Sequence, residues 1–334
     1  MKIGLSLDGG GVKGYVSALI MQEIEHRLQK KQPERINLVN CVDSVAGNST
    51  GSILTGLLNV PESTVYDERA INYPKYSLDD VVSMYQEFSS EIFKKGTPRY
   101  ILSICGLLTY RYSAKKYEEK LKDFFGNMTL DKCINDTMFI SYLVSENRPF
   151  FFKRRHALNP RDEFDNEFLY NIVRCSSAAP SYFKPKVMAN DKVFVDGFLT
   201  SNNPTMCLYT EMRKCNPDED IVIINIGTGA YHEEFKSKSL KWCGLIGWAV
   251  PIFNMLMSGP EDLVKYQMNV ICNHSTTDKS YILNPTLPKE ALAMDNASPK
   301  QIERLHKVTT EWIMKNEHLI DEIVDLLYDN YLKK

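Results

Sequence analysis

Apolar residues fall into two patterns along this chain: short continuous runs, and longer segments in which they recur at every third or fourth position. A short continuous run bounded by turns is typical of a buried strand, and the second pattern is typical of an amphipathic helix. The two patterns alternate, which predicts a layered α/β fold. The strand-like runs are residues 2–7, 41–46, 138–145, 149–153, 192–195, 221–226 and 280–284.

Helix-like segments fill most of the intervals between these runs. Ser298-Pro299, with Gln301 three residues after the serine, has the form of a capping box and predicts the start of a C-terminal helix. The other predicted helices cover residues 12–28, 50–58, 78–95 and 114–125, and one more begins after Asn203-Pro204.

The chain shows no internal repeat and no low-complexity block. Residues 59–76 turn polar and contain Pro61 and Pro74, which indicates a surface excursion rather than a domain boundary. We therefore expect residues 1–334 to form one domain, with the C-terminal helices of residues 298–331 packed on it.

Composition narrows the class of protein. The 334 residues are 43% hydrophobic, and 40 Lys and Arg nearly balance 42 Asp and Glu, so nothing predicts a nucleic-acid surface. The eight cysteines are scattered without a C-x-x-C pair, which favours reduced thiols over a disulfide framework or a zinc site. The N-terminal apolar run is too short for a signal peptide, so we expect a cytoplasmic protein.

One segment, "WCGLIGWAVPIFNMLM" at residues 242–257, is strongly apolar. It is shorter than the roughly 20 residues that a membrane span needs, and Pro251 and Asn254 interrupt it. The segment is predicted to be a buried helix; the alternative is an interfacial surface beside a lipid-binding mouth, in transient contact with a membrane.

Gly47-Asn48-Ser49-Thr50-Gly51 matches G-x-S-x-G between a strand-like run and an apolar helix. A serine on a tight strand-to-helix turn needs small neighbours two positions away, and the turn lifts its hydroxyl above the sheet. The helix N-terminus behind it favours developing negative charge. Ser49 is therefore the candidate nucleophile; the alternative is that it only caps the helix.

A serine nucleophile needs a base. Of the six histidines, His232 and His274 follow the ends of predicted elements, and either can serve in principle. Asp196 is better placed, because it ends an apolar strand-like run and precedes Gly197, where catalytic groups gather in α/β sheets. Burial would raise its pKa towards that of a useful base. The alternative is that Asp196 caps a turn.

The loop "DGGGVKG" at residues 8–14 contains G-x-G-x-x-G, the fingerprint of a dinucleotide-binding turn. Asp8 beside the glycines opposes a bound pyrophosphate, and no acidic residue is clearly placed about 20 positions beyond them. The amides of Gly9, Gly10 and Gly11 instead suit the oxyanion of a tetrahedral intermediate, with the Thr50 amide as a further donor. A nicotinamide-dependent oxidoreductase is the less favoured alternative.

Together these residues resemble the patatin-like phospholipases, whose pattern is D-G-G-G-x-[KR]-G, then G-x-S-x-G, then D-G-[GA]. Further family-like runs are "CSSAAPSYFKP" (175–185), "SNNPT" (201–205), "IGTG" (226–229) and "MDNASPKQIERL" (294–305). The resemblance implies a three-layer α/β/α fold with a mostly parallel central sheet and a Ser49–Asp196 dyad that hydrolyses acyl esters of glycerophospholipids. It places Lys13 at the family's basic position. The motif-supporting residues are Asp8, Lys13, Gly14, Gly47, Gly51 and Gly197.

Two motifs depart from the family pattern: the elbow has Asn48 and Ser52 where the family usually has Thr and Gly, and Phe198 follows Asp196-Gly197. Neither departure removes a reacting group, so they bear on substrate range more than on activity. Phe198 is expected to narrow or reorient the acyl pocket. The alternatives to a phospholipase are a catalytically impaired lipid- or partner-binding module and a Ser–His esterase. No metal or cofactor motif is found, and the expected partner is an acyl lipid; binding of an activator or of a second copy is left open.

Overall fold

A computed structural model of the chain describes residues 1–63, 73–95, 100–101, 103, 109–160, 164, 166–230 and 244–334. A mixed sheet of eight strands lies at its centre. The strands are β1 (Lys2–Leu7), β2 (Ser44–Asn48), β3 (Asp136–Leu143), β4 (Arg148–Lys153), β5 (Lys186–Val187), β6 (Val193–Asp196), β7 (Ile221–Ile226) and β8 (Lys279–Leu283).

Helices cover both faces of the sheet. They are α1 (Gly14–Gln29), α2 (Leu38–Cys41), α3 (Thr50–Asn59), α4 (Leu78–Ile92), α5 (Ala114–Phe125), α6 (Arg154–Leu158), α7 (Leu169–Ser176), α8 (Phe198–Ser201), α9 (Thr205–Cys215), α10 (Leu245–His274), α11 (Pro299–Lys315) and α12 (Glu317–Tyr331). None of these described helices is long and apolar enough to cross a bilayer.

The strand order is β5-β6-β3-β2-β1-β7-β8, and β4 pairs with β3 outside this path. Strands β1, β2, β3, β7 and β8 are parallel, whereas β4 and β6 run antiparallel to β3, and β5 runs antiparallel to β6. Because β1, β2 and β7 are parallel neighbours, their carboxyl ends lie side by side at the same end of the sheet.

Alternation along the strands sends side chains to two apolar clusters. The larger cluster joins Leu5 of β1 and Ile224 of β7 to side chains of α1, α3, α4, α11 and α12. The smaller cluster, on the opposite face, joins Ile223 of β7 to α9 and α10. Helices α11 and α12 both contact α1, so the C-terminal segment packs on the same core as the N-terminal strand.

Three local predictions were wrong. Residues 41–43 are not strand, because the Asp43 carboxylate accepts the Ile3 N–H at 2.8 Å where a strand would pair with β1. Ser298 makes no side-chain cap, and Gln301 instead donates to the Ala291 carbonyl at 2.9 Å. The predicted buried helix of residues 242–257 exposes Ile252, Met255 and Leu256 on α10; residues 242 and 243 lie outside the described ranges.

Candidate active site

Ser49 lies in the turn between β2 and α3, with φ 53° and ψ −118°. A positive φ is strained for serine, and such strain persists where the surroundings enforce it. The surroundings here are tight: a Cβ on Gly47 would lie 2.3 Å from the Gly51 carbonyl oxygen, and one on Gly51 would lie 2.1 Å from the Leu7 carbonyl oxygen. The elbow therefore requires glycine on both sides and holds Ser49 at the N-terminus of α3.

The pairing of β3 brings Asp196 to this turn. Strand β4 pairs with residues 138–143 of β3, and this stretch includes residues that also pair with β2 or with β6. Because one side of a strand can bind only one partner at each residue, β2 and β6 both lie on the side of β3 away from β4. Asn48 is opposite Ile140, and Asp196 is opposite the next residue, Ser141. The carboxyl ends of β2 and β6 thus meet at one point, which places the Asp196 carboxyl beside the Ser49 turn.

The Asp196 carboxyl is nearly uncompensated in a buried position. Its side chain is 1% exposed, and Oδ1 accepts the Phe198 N–H at 3.0 Å, while Oδ2 lacks a hydrogen-bond partner of normal geometry in the described part of the chain. Burial raises the pKa of Asp196 to about 7; interactions with the Ser49 hydroxyl, the Phe198 amide and the Asn48 side chain oppose the shift only in part. A carboxyl with this pKa can exchange a proton near neutral pH.

In the glycine loop after β1, Gly9 does not have the oxyanion-binding role that the sequence predicts. Gly9 donates its N–H to the Asn202 carbonyl at 3.0 Å, so this amide is not free to bind an oxyanion. Gly10 and Gly11, which has φ 61°, have no such backbone acceptor among the described residues. Thr50 is the first residue of α3, where helix amides lack intrahelical acceptors. The available donors are therefore Gly10, Gly11 and Thr50.

Two hydroxyl groups hold the Gly11 carbonyl from the protein interior. Tyr85 of α4 donates to it at 2.5 Å, Thr50 Oγ1 lies 3.0 Å from it, and the two hydroxyls also contact each other. On the other side, the Val12 N–H donates to the Met294 carbonyl at 2.8 Å. The Gly11–Val12 peptide is thus fixed at both ends. Sequence reasoning missed Tyr85, because its place on a helix gives no sign of this contact.

Asp8 and Lys13 flank the three glycines of the loop. Asp8 Oδ1 accepts the Asn225 Nδ2–H at 2.7 Å, and burial raises the pKa of Asp8 well above its usual range. Burial lowers the pKa of the half-buried Lys13, against the opposing charges of Glu261 and Asp8. The hydrogen bond from Asn225 therefore ties Asp8, at the start of the loop, to β7.

An apolar pocket opens at Ser49. Two other serines near this site have engaged hydroxyls: Ser176 donates to the Ile140 carbonyl at 2.6 Å, and Ser177 donates to the Val173 carbonyl at 2.5 Å while accepting from Tyr117. The pocket is suited to an acyl chain. Its lining residues are Gly11, Ser49, Thr50, Ile53, Tyr85, Phe88, Phe93, Tyr117, Ser177, Ala179, Tyr182, Phe183 and Met294.

The remaining sequence candidates do not join this site. Phe198 is buried but is not among the described lining residues, and it acts on Asp196 through its backbone N–H. His274 is exposed at the end of α10, where its ring contacts the Val270 carbonyl. His232 lies outside the described residues. Within the described ranges, no group of His, Cys, Asp and Glu side chains is arranged to hold a metal ion.

A strand–turn–helix serine, a buried carboxyl and free amides meet above a largely parallel sheet, an arrangement that suits the chemistry of acyl transfer. The family model described as "Patatin-like phospholipase" matches residues 5–209, and the chain belongs to this family. The match spans the glycine loop, the elbow and Asp196. Membership in this family means that the chain has the patatin fold, and it supports lipid ester hydrolase activity.

Several plant proteins are similar over most of their length. The chain is 28% identical to Patatin-like protein 1 of Arabidopsis thaliana, covering 91% of this chain and 79% of that protein. It is 25% identical to Patatin-2-Kuras 3 of Solanum tuberosum, with 93% and 83% covered. Among solved structures, human GIVD cytosolic phospholipase A2 aligns with a TM-score of 0.48 and 10% identity, over 98% of this chain and 60% of that one.

Proposed function

We propose that this protein releases fatty acids from glycerophospholipids through a covalent acyl-Ser49 intermediate. Asp196 takes the Ser49 proton as the hydroxyl oxygen attacks the ester carbonyl. The Gly10, Gly11 and Thr50 amides hold the resulting oxyanion. The carbon–oxygen bond to the glycerol oxygen then breaks, and this oxygen leaves with the proton held on Asp196. Water, deprotonated by Asp196, cleaves the acyl-enzyme and regenerates Ser49.

The observation that carries this proposal is the meeting of Ser49 and Asp196 at the β3 edge. The elbow gives Ser49 a strained backbone, and the Asp196 carboxyl beside it is buried without a cation among its described partners. Structural carboxylates are normally paired when buried, so an unpaired one beside a strained serine indicates a catalytic base.

Exposed apolar side chains fit a substrate that resides in a membrane. On α10, Ile252 is 45% exposed, and Met255 and Leu256 are also exposed. Apolar side chains of this kind insert shallowly into a lipid surface. We propose that the protein contacts membranes transiently at this face while it acts.

The test is lipid profiling by mass spectrometry after incubation of mixed phospholipid vesicles with wild-type and Ser49→Ala protein. We expect Ser49→Ala to lose fatty-acid release and labelling by a fluorophosphonate, because both need the serine oxygen as nucleophile. Ser90→Ala is the matched control, since its exposed hydroxyl donates to the Glu87 carbonyl within its own helix and has no other hydrogen-bond partner among the described residues. Unchanged release by Ser49→Ala would refute the proposed nucleophile.

A further inference from the structure

The carbonyl of the peptide between Gly9 and Gly10 accepts two hydrogen bonds that fix its direction. The Gly9 carbonyl accepts the Thr228 hydroxyl at 3.0 Å and the Asn202 Nδ2–H at 3.4 Å, and all three groups are buried. In a planar trans peptide the carbonyl and the N–H point in opposite directions. The direction of the Gly9 carbonyl therefore sets the direction of the Gly10 N–H.

The order of strands indicates where this N–H points. Strand β1 lies between β2 and β7, so the loop that follows β1 lies between Ser49, after β2, and Thr228, after β7. A carbonyl drawn towards Thr228 on the β7 side leaves the Gly10 N–H facing the β2 side. That side holds Ser49, and a Cβ on Gly9 would lie only 3.2 Å from the Ser49 Cβ.

The contact between Thr228 and the loop is close. A Cβ on Gly10 would lie 2.1 Å from the Thr228 Oγ1, so only glycine at this position lets the hydroxyl reach the Gly9 carbonyl. Thr228 is 5% exposed and belongs to the run "IGTG", for which the proposed mechanism gives no role.

We infer that Thr228 is a positioning residue of the oxyanion site: its hydroxyl fixes the Gly9–Gly10 peptide so that the Gly10 N–H faces the reacting carbonyl at Ser49. Thr228 is not among the described residues that line the pocket at Ser49, and in this proposal it acts only through the Gly9–Gly10 peptide. The inference rests on the proposed function, because it assigns Gly10 as an oxyanion donor.

The test compares Thr228→Val with Thr228→Ser. Valine keeps the shape but removes the hydroxyl, whereas serine keeps the hydroxyl and removes a methyl group. Loss of an oxyanion donor typically lowers kcat by 10²–10³-fold. Since a released peptide still samples the right orientation, we expect Thr228→Val to lower kcat about 10–100-fold with KM within about twofold, and Thr228→Ser to stay within about threefold of wild type.

The control is Thr309→Val in α11. Thr309 is fully buried, and its hydroxyl donates to the Leu305 carbonyl at 2.7 Å, so the substitution removes the same type of hydrogen bond away from the site. All variants are assayed with p-nitrophenyl butyrate and a fluorophosphonate, after thermal unfolding confirms that each is folded. Thr309→Val should keep kcat within about twofold.

Two outcomes overturn the inference: a Thr228→Val variant as active as Thr309→Val, or equal losses in Thr228→Val and Thr228→Ser, which would mean that packing rather than the hydroxyl matters. Ser49→Ala is measured in the same series. Activity retained by Ser49→Ala would refute the proposed function itself, whereas an inactive Ser49→Ala with an unaffected Thr228→Val refutes only the role of Thr228.

Discussion

Two buried aspartates at opposite ends of the central sheet differ in their partners. Asp278 precedes β8 at the amino end of the parallel strands and is 6% exposed. It accepts both Nη2 contacts of Arg213 at 2.7 and 2.8 Å, the Tyr209 hydroxyl at 2.8 Å and the Ile221 N–H at 2.9 Å. Asp196, at the carboxyl end, accepts the Phe198 N–H and has no ion pair among the described residues.

The partners decide the proton affinity of each carboxyl. Burial acts to raise the pKa of Asp278, but hydrogen bonds from Ile221, Arg213 and Tyr209 outweigh it and hold the pKa below its usual range. At Asp196 burial dominates and raises the pKa to about 7. Asp278 is therefore a fixed anion that stabilises the fold at the amino end of the parallel strands. Asp196, with the same type of side chain, can exchange a proton at their carboxyl end.

The largest effect expected from this contrast is on catalysis. Asp196→Asn keeps the shape of the side chain but removes the base, so we expect fatty-acid release to fall about 10³-fold. The measurement is initial-rate release from phospholipid vesicles. A variant with more than a tenth of wild-type activity would contradict the role of Asp196 and favour a histidine base.

The same substitution should increase stability at high pH. The folded-state pKa of Asp196 lies above its unfolded value, so the native state loses stability as pH rises from about 4 to about 7. Asparagine has no charge to bury. We expect Asp196→Asn to gain about 2 kcal/mol more over wild type at pH 8 than at pH 5, measured by urea unfolding. A gain that is independent of pH would show that the carboxyl is not buried as an anion.

Asp278→Asn should show the opposite behaviour. The substitution leaves Arg213 without its carboxylate partner, and we expect a loss of about 2–3 kcal/mol in the free energy of unfolding, since part of the pair is exposed to water. Activity per folded molecule should stay within about twofold of wild type. If Asp278→Asn abolished activity in a folded protein, the division of roles between the two aspartates would be wrong.

Much of the fold follows from local sequence. Strand β7 and helix α5 have the predicted bounds, because "IVIINI" is apolar at every position except Asn225 and residues 114–125 are strongly amphipathic. The pattern of apolar residues gives a wrong prediction where a long-range contact determines the local structure. Residues 41–43 are not part of a strand, because the Asp43 carboxylate accepts the Ile3 N–H. Gln301 does not form the predicted capping box, because its side chain donates to the Ala291 carbonyl.

The elements of the candidate site are visible in the sequence, but their connections are not. The motifs singled out Ser49 and Asp196, yet only the pairing register of β3 brings residues 48 and 196 together. Likewise, three adjacent glycines predict three equivalent amide donors, whereas a contact with Asn202, almost two hundred residues away, occupies Gly9. Long-range pairing of this kind has no local signature in the sequence.

The last expected effect is the pH dependence of catalysis. Asp196 acts as a base only when it is ionised, and its pKa is raised to about 7, so kcat/KM should rise about tenfold per pH unit below pH 7 and level off above it. A neutral ester such as p-nitrophenyl butyrate keeps the substrate from titrating. Asp8 also has a raised pKa, so Asp8→Asn serves as the control and should keep the transition near pH 7. A transition near pH 4 would mean that Asp196 is compensated as Asp278 is, and the contrast between the two edges of the sheet would not hold.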